Sequence, residues 1–210
     1  MDTAPRVSDD AHRRLVERLL CEKIFLHGIG RAIGVSIRWL MDFMVARLAA
    51  VPEPLHVQPV TVSHEVFIGG LEVEEDELWS FGQKKTNPHW VWITMDKHMR
   101  QILAFPVGDR SRDSAIPFWQ IVPEAYREQA TFYTDQYAAN LGVIPVAQHR
   151  AITIPARKPN HIERFNNTLR QRVSRLVRSM LAFSKKVENH IGAIRYLICY
   201  YNLTRAALLV

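Results

Sequence analysis

Apolar positions recur at helical spacing from Ala11 to about Ala50, alternate or cluster in short bursts from Val66 to Ile154, and return to helical spacing after His161. In the first stretch Leu15, Leu19, Ile24 and Leu26 precede a glycine-rich interruption, His27-Gly28-Ile29-Gly30. A short helix with Ala32 and Ile33 is expected next. Gly34-Val35-Ser36 then reads as a tight turn with Ser36 as N-cap, followed by an amphipathic helix carrying Ile37, Leu40, Met41, Met44 and Leu48. Together these predict a helix-turn-helix over residues 1–50. Its shared core would be Ile29, Ile33, Val35, Ile37 and Leu40, with Arg38, Trp39 and Asp42 nearer the exposed start of the second helix. A helical hairpin used only for packing or dimerisation has the same pattern.

Between Val51 and Pro59 stand Pro52, Pro54 and Pro59, so an extended linker over 51–62 is predicted. Beyond it Val66–Trp79 reads as a strand ending in acids. Trp90–Met95 and Gln101–Val107 read as a hairpin joined by the polar turn 96–100. Ser114–Glu128 has helical character in spite of Pro117 and Pro123. Ala130–Thr134 is a strand stopping at Asp135, a short helix is expected near Tyr137–Leu141, and Gln148–Ile154 is a further strand. A long helix from His161 to Leu181 and an apolar one from Lys185 to Tyr201 close the pattern. Three strands, a helix, two strands and final helices give the order of a ribonuclease-H-like α/β core. That core is placed at 63–183, preceded by the small all-α region, with 184–210 packing on it as a C-terminal helix.

The chain of 210 residues suffices for one medium core and a small appended unit. No apolar run reaches the roughly 18–20 residues of a membrane span, and the first thirty residues have no signal-peptide layout, so a cytoplasmic, nucleoid-associated protein with no membrane partner is expected. Cys21 and Cys199 form no pair of metal-ligand spacing, which argues against a disulfide framework or a cysteine-built zinc site. Net charge is +6, and its distribution is uneven. Residues 157–186 hold nine Lys/Arg against Glu163 alone, a net +8, while the rest of the chain is at −2. Such a concentration suits a polyphosphate partner, since each neutralised phosphate releases counterions. A solvated helix face would look the same.

If that partner is nucleic acid and the chain cuts it, acids are needed at strand ends. Phosphodiester cleavage commonly uses two hard cations about 4 Å apart, and Mg2+ prefers carboxylate oxygens and water. Glu74, Glu75, Asp76 and Glu77 cluster near the end of the first core strand, where neither charge nor period-two alternation singles out one, and where a solvated acidic loop is the plain alternative. Asp135 ends an apolar strand, a costly position for an acid unless it is exposed, paired, coordinating or capping the next helix. Glu163 falls at the third helical position after Asn160, the spacing of a capping box, a role compatible with metal binding. Asn167 and Arg170 share its face. Ile162, Phe165, Leu169, Val173, Leu176 and Met180 form the apolar stripe, and Arg164, Arg172, Arg175 and Arg178 the far side. Trp79, Trp90 and Trp92 are expected to pack rather than stack on bases. His149 and His161 carry no assigned role.

Asp76-Glu-Leu-Trp-Ser-Phe81 with Lys84-Lys85, Tyr133-Thr-Asp135, Ile162-Glu-Arg-Phe-Asn-Asn-Thr-Leu-Arg-Gln-Arg172 and Phe183-Ser-Lys-Lys186 resemble transposases of the bacterial insertion-sequence-one family, from about Ala11 to Asn202. The resemblance implies a helix-turn-helix before a ribonuclease-H-like domain with a DDE triad, matching Asp76, Asp135 and Glu163 as catalytic and metal-binding residues, and Arg170 as the basic residue seven places after the glutamate. It implies Mg2+ as cofactor, with Mn2+ able to substitute. It further implies binding of terminal inverted repeats, strand hydrolysis at each element end, and attack of the freed 3′-hydroxyl on target DNA. Expected DNA contacts are Arg164, Arg170, Arg172, Arg175, Arg178, Asn167, Arg38 and Arg31. The partner is double-stranded DNA, both element ends and target, bound by a homodimer or larger assembly. The family's four-cysteine zinc finger ahead of the helix-turn-helix has no counterpart among these residues. The alternatives are a truncated, non-catalytic DNA-binding protein that occupies element ends and represses transposition, or a nuclease acting on RNA or hybrids.

Overall fold

The computed structural model describes residues 10–57, 72–81, 88–109, 112–134, 143–151, 161–173 and 187–207. Contacts group the chain into two compact units, Met1–Glu53 with Thr168–Tyr200, and Pro54–Asn167 with Tyr201–Val210. Mixed helix and sheet make it an α/β protein.

In the first unit α1 spans Asp10–Leu20, α2 Leu26–Ile33 and α3 Ile37–Ala49. Their core is Val16, Leu26, Ile29, Leu40, Met44 and Leu48, all buried, with Ile33, Val35 and Ile37 packed at its edge. Val16, not Leu15, is the inward position of α1. The glycine-rich segment expected to interrupt the chain lies inside α2, and the break comes earlier, at 21–25. Close approach explains Gly30. A Cβ there would stand 3.1 Å from the Val35 carbonyl oxygen, and the Gly30 carbonyl accepts both Gly34 N–H and Val35 N–H at 2.9 Å. Gly34 ends α2 in the left-handed region, φ 77°. Ser36 caps α3 as expected, its side chain accepting from the Trp39 N–H at 3.2 Å.

Among the described residues, the second unit is built on a six-stranded mixed sheet. Its strands are β1 (Glu72–Phe81), β2 (Pro88–Asp96), β3 (Ile102–Ala104), β4 (Val107–Gly108), β5 (Thr131–Thr134) and β6 (His149–Ala151). Their order is β3-β2-β1-β5-β6, with β4 also on β2. β1 is central, antiparallel to β2 and parallel to β5, and β5 is parallel to β6. Helices α4 (Arg112–Ile121) and α5 (Glu124–Gln129) contribute Phe118 and Tyr126, and the bend between them Val122, to a core with Trp92, Leu103 and Phe132. Along β2 the intervening residues Val91, Ile93 and Met95 are buried as well, so the strand is covered on both faces. Trp92 is fully buried and its indole N–H donates to the Asp109 carbonyl at 3.0 Å, a packing role.

Three further expectations change. The single helix over 114–128 is two helices, because Pro123 supplies no N–H to the preceding turn and starts α5 instead. The second hairpin strand is split by Phe105-Pro106 into β3 and β4. The acids around Asp76 lie within β1, not at its end: pairing continues through Trp79↔Trp90 to Phe81↔Pro88. The hairpin turn itself is as expected, and Asp96 closes it. Its Oδ1 accepts from the N–H groups of His98 and Met99, both 2.7 Å, and its Oδ2 accepts from the Tyr126 hydroxyl at 2.7 Å.

The last two helices are α6 (His161–Arg172) and α7 (Val187–Ala206), the latter running five residues beyond the expected end. The division between the units falls inside each. Asn202 of α7 is fully buried. Its side chain accepts from Ile102 N–H at 2.9 Å and donates to the carbonyls of Ile102 at 2.9 Å and Leu55 at 2.7 Å. It thereby satisfies the edge of β3 and fastens the proline-rich stretch. The expected helix near 137–141, the start of the strand at 66, and the helical continuation over 174–181 lie outside the described residues.

Candidate active site and nucleic-acid surface

The acid-rich β1 sits at the middle of the sheet, and its register places each residue against its neighbours. Asp76 pairs with Ile93 of β2. On the other side, Glu72↔Thr131, Val73↔Phe132 and Glu74↔Tyr133 align β1 with β5. The backbone of Asp76 is thus placed, while its side chain and all of Asp135 lie outside the described residues.

What precedes Asp135 is well defined. Thr134 is buried, and its Oγ1 lies 2.7 Å from His149 Nε2 on β6. Burial, and secondly the neighbouring Arg150, hold the His149 pKa below its ordinary value, which favours a neutral ring at neutral pH. Gln148, one residue earlier, donates from its amide to the carbonyls of Arg127 at 3.0 Å and Ala130 at 3.1 Å. Sequence reasoning singled out His149 without giving it a task. The signal it lacked is the pairing of β5 with β6, a long-range fact that no local pattern carries.

Glu163 is half-buried in the first turn of α6, where the helix dipole favours an acid. Asn160, its expected capping-box partner, lies outside the described residues. Ile162, Phe165, Leu169 and Val173 are buried, as the apolar stripe predicts, while Leu176 and Met180 lie outside the described residues. Arg164, Asn167 and Arg170 are exposed. Arg172 is engaged with Glu22, Nη1 to Oε1 at 3.5 Å. Arg175 and Arg178 lie outside the described residues. In the first unit Arg31 and Arg38 are exposed on either side of the Gly34 turn.

Among the described residues no three His, Cys, Asp or Glu side chains cluster to hold a metal, and of the three expected acids only Glu163 has its side chain among them. The three expected acids, Asp76, Asp135 and Glu163, offer oxygen alone, a chemistry that would fit a hard cation such as Mg2+ and would not suit zinc in a sulfur or imidazole site. Among the described residues no helix is long and apolar enough to cross a membrane.

Comparison with known proteins places the chain among the transposases. Residues 71–202 match the sequence model of the family described as IS1 transposase. The chain is similar to the insertion element iso-IS1n protein InsB of Shigella dysenteriae, 30% identical over 120 residues, which is 57% of this chain and 88% of that protein. It is similar to the insertion element IS1 protein InsB of Shigella flexneri, 30% identical over 117 residues, 56% of this chain and 86% of that one. It also resembles the insertion element IS1 4 protein InsB of Escherichia coli (strain K12), 27% identical over 117 residues, 56% of this chain and 67% of that one. The chain belongs to the IS1 transposase family, and hence to the enzymes that cut and transfer DNA. The family match covers the central strand, β5 and α6. It begins at residue 71, so the N-terminal helices are not part of it.

Proposed function

We propose that the chain is a DDE transposase with a ribonuclease-H-like catalytic core, in which Asp76, Asp135 and Glu163 hold the catalytic Mg2+, with Mn2+ able to replace it. The observation that carries this reading is the register of the two parallel strands. Glu74 stands against Tyr133, and Asp76 and Asp135 each follow two residues later on their own strands. Strand order β3-β2-β1-β5-β6, with the first three antiparallel and the last two parallel to β1, agrees with a ribonuclease-H-like sheet.

Bound between the three carboxylates, Mg2+ would activate the attacking oxygen and stabilise the leaving one. The chain's own residues do the rest. Asp76 is held by the backbone of β1, and Glu163 is presented by the first turn of α6. Arg170, two helical turns after Glu163, meets a phosphate with its guanidinium, and Arg164, Arg172, Arg175, Arg178 and Asn167 extend that contact along the DNA backbone. In the N-terminal region, 1–50, α2 and α3 act as a helix-turn-helix for the terminal inverted repeats, with Arg31 and Arg38 at the DNA. Residues 51–62 link it to a catalytic region at 63–183, and the C-terminal helix of 184–210 meets that core at its end, through Asn202. Pairing two element ends calls for a dimer or larger assembly, acting in the bacterial cytoplasm at the nucleoid.

Asp135→Asn tests the reading. Strand cleavage of a duplex carrying the element's end, measured in Mg2+, should fall by at least about a thousandfold, roughly 4 kcal/mol of barrier, while the shift of that duplex in a binding assay is retained. Unchanged cleavage would overturn the metal-ligand assignment. Binding without cleavage by the parent chain itself would leave a non-catalytic occupant of element ends.

A further inference from the structure

We propose that Asp42 is a specificity-determining residue for the DNA at the element's ends, accepting from a cytosine amino group while Arg38 reads a guanine. The inference rests on the helix-turn-helix reading above. It goes beyond that reading by assigning base contacts, one of them to an acid that charge alone would keep away from DNA. Leu40, Met44 and Leu48 turn one side of α3 into its core. On one flank Trp39 and Phe43 stack with ring centroids 5.1 Å apart, and Arg47 lies over Phe43 while paired with Glu17. The side turned away from the core carries Arg38, Met41, Asp42 and Val45, spaced i, i+3, i+4, i+7 and all exposed. Arg38 and Asp42 stand one turn apart there, yet among the described residues neither side chain enters a hydrogen bond or an ion pair. The start of this face is held firmly, by the two bonds to the Gly30 carbonyl and by the Ser36 cap, as sequence readout requires. Arg31 and Arg38, exposed on either side of the turn, give it the charge that suits DNA. Against the phosphates the Asp42 carboxylate would only be repelled. It gains in the major groove, where cytosine presents an amino donor and guanine the two acceptors that match an arginine. Met41 and Val45, 44% and 41% exposed, put apolar carbon where a thymine methyl can meet it.

The test is a binding titration of the full chain without divalent metal, so that the triad plays no part. Parent, Asp42→Ala and Arg38→Ala are compared on a duplex carrying the element's end, on a shuffled duplex of the same composition, and on a set in which each G·C pair of the end is replaced in turn by A·T. Both side chains are exposed, so the variants should fold, which circular dichroism checks. Asp42→Ala should bind the element's end about tenfold more weakly, yet bind the shuffled duplex at least as tightly as the parent, because a repelled charge has gone. The opposite signs separate readout from charge. One G·C replacement that weakens the parent about tenfold should leave Asp42→Ala unaffected, and Arg38→Ala should be blind to a different one. If Asp42→Ala changed its affinity for the two duplexes by the same factor, or for neither, the proposal would be overturned while the helix-turn-helix stood. A shift in the sedimentation of the free chain, with discrimination unaltered, would make this face a contact between proteins and overturn it as well. A parent that binds the element's end no better than the shuffled duplex would bring down the reading of inverted repeats together with this one.

Discussion

At the scale of single residues, Asn202 and Cys21 show how much a buried polar group matters outside any catalytic centre. Asn202 satisfies one N–H and two carbonyls with a single amide. Its replacement by Ala leaves those groups without partners in a site closed to solvent. The expected loss is about 3 kcal/mol, seen as a fall in melting temperature of roughly 6–12 °C for a chain of this size. A shift below a degree or two would mean that water takes over the amide's place. For Cys21, burial pushes the thiol from an ordinary 9.0 up to about 12, with Glu22 adding to the rise. The linked stability therefore has a definite sign. A thiol harder to ionise in the folded chain adds stability that is complete below about pH 9 and is lost as pH rises toward 12. Tyr126 and Tyr196 are also raised, chiefly by burial, so they contribute in the same direction at the alkaline end. Urea unfolding of the parent and of Cys21→Ala across that window isolates the thiol. The Cys21→Ala curve should fall less steeply with pH, and parallel curves would assign the whole slope to the tyrosines.

At the scale of elements, local rules succeed where one turn or one face decides the structure. Ser36 capping α3, the stripe Ile162, Phe165 and Leu169 on α6 with Val173 just past its end, and the hairpin across Asp96 were all legible in the sequence. They failed where tertiary contact decides. Glycine at 28 and 30 looks like a helix break until the Val35 carbonyl is seen pressed against the Gly30 position. The acids of β1 look like a strand end until β2 is found paired along nine residues of it, Val73 to Phe81. Pro117 is tolerated within α4 whereas Pro123 divides α4 from α5, a distinction the two prolines' spacing does not announce. The proposed site could be nominated from the sequence only as a set of residue types, because acids in an apolar strand and a lone acid in a basic helix violate ordinary patterning. The support given to β5 by Gln148 and His149 was not, since it depends on pairing between segments fifteen residues apart. The turn between α2 and α3 offers an element-scale prediction with two distinct mechanisms. Gly34→Ala meets no atom within 4 Å but must hold φ 77°, at a cost of about 1 kcal/mol. Gly34→Asn, more at ease in that region, should cost less. Gly30→Ala must displace a backbone oxygen at 3.1 Å, so it should destabilise although its own helical conformation is ordinary. Chemical denaturation orders the three, and a Gly30→Ala variant as stable as the parent would show that the turn gives way.

At the scale of the whole molecule, the decisive feature is how the charge is distributed. A net of +6 arises entirely from residues 157–186, with the rest slightly acidic, so non-specific attraction to DNA should run through that segment and not through a diffuse cationic surface. Arg164 and Arg170 are exposed on α6, and Arg172 lies 3.5 Å from the Glu22 carboxylate. An exposed ion pair of this kind contributes little stability, at most about 1 kcal/mol. The carboxylate nevertheless competes with phosphate for the same guanidinium, and its negative charge subtracts from the local potential. Binding of the parent to an arbitrary duplex, followed against salt concentration, should give a log–log slope that falls by about one unit in Arg164→Ala and in Arg170→Ala. Arg172→Ala should lower it by less than about one unit, because Glu22 already offsets part of that arginine's charge. Glu22→Gln should act in the opposite sense, tightening non-specific binding and steepening the slope, since it releases Arg172 without removing it. Equal slopes across all four variants would place the phosphate contacts elsewhere on the chain, and a weakened complex in Glu22→Gln would mean that the pair orders Arg172 for DNA and does not withhold it.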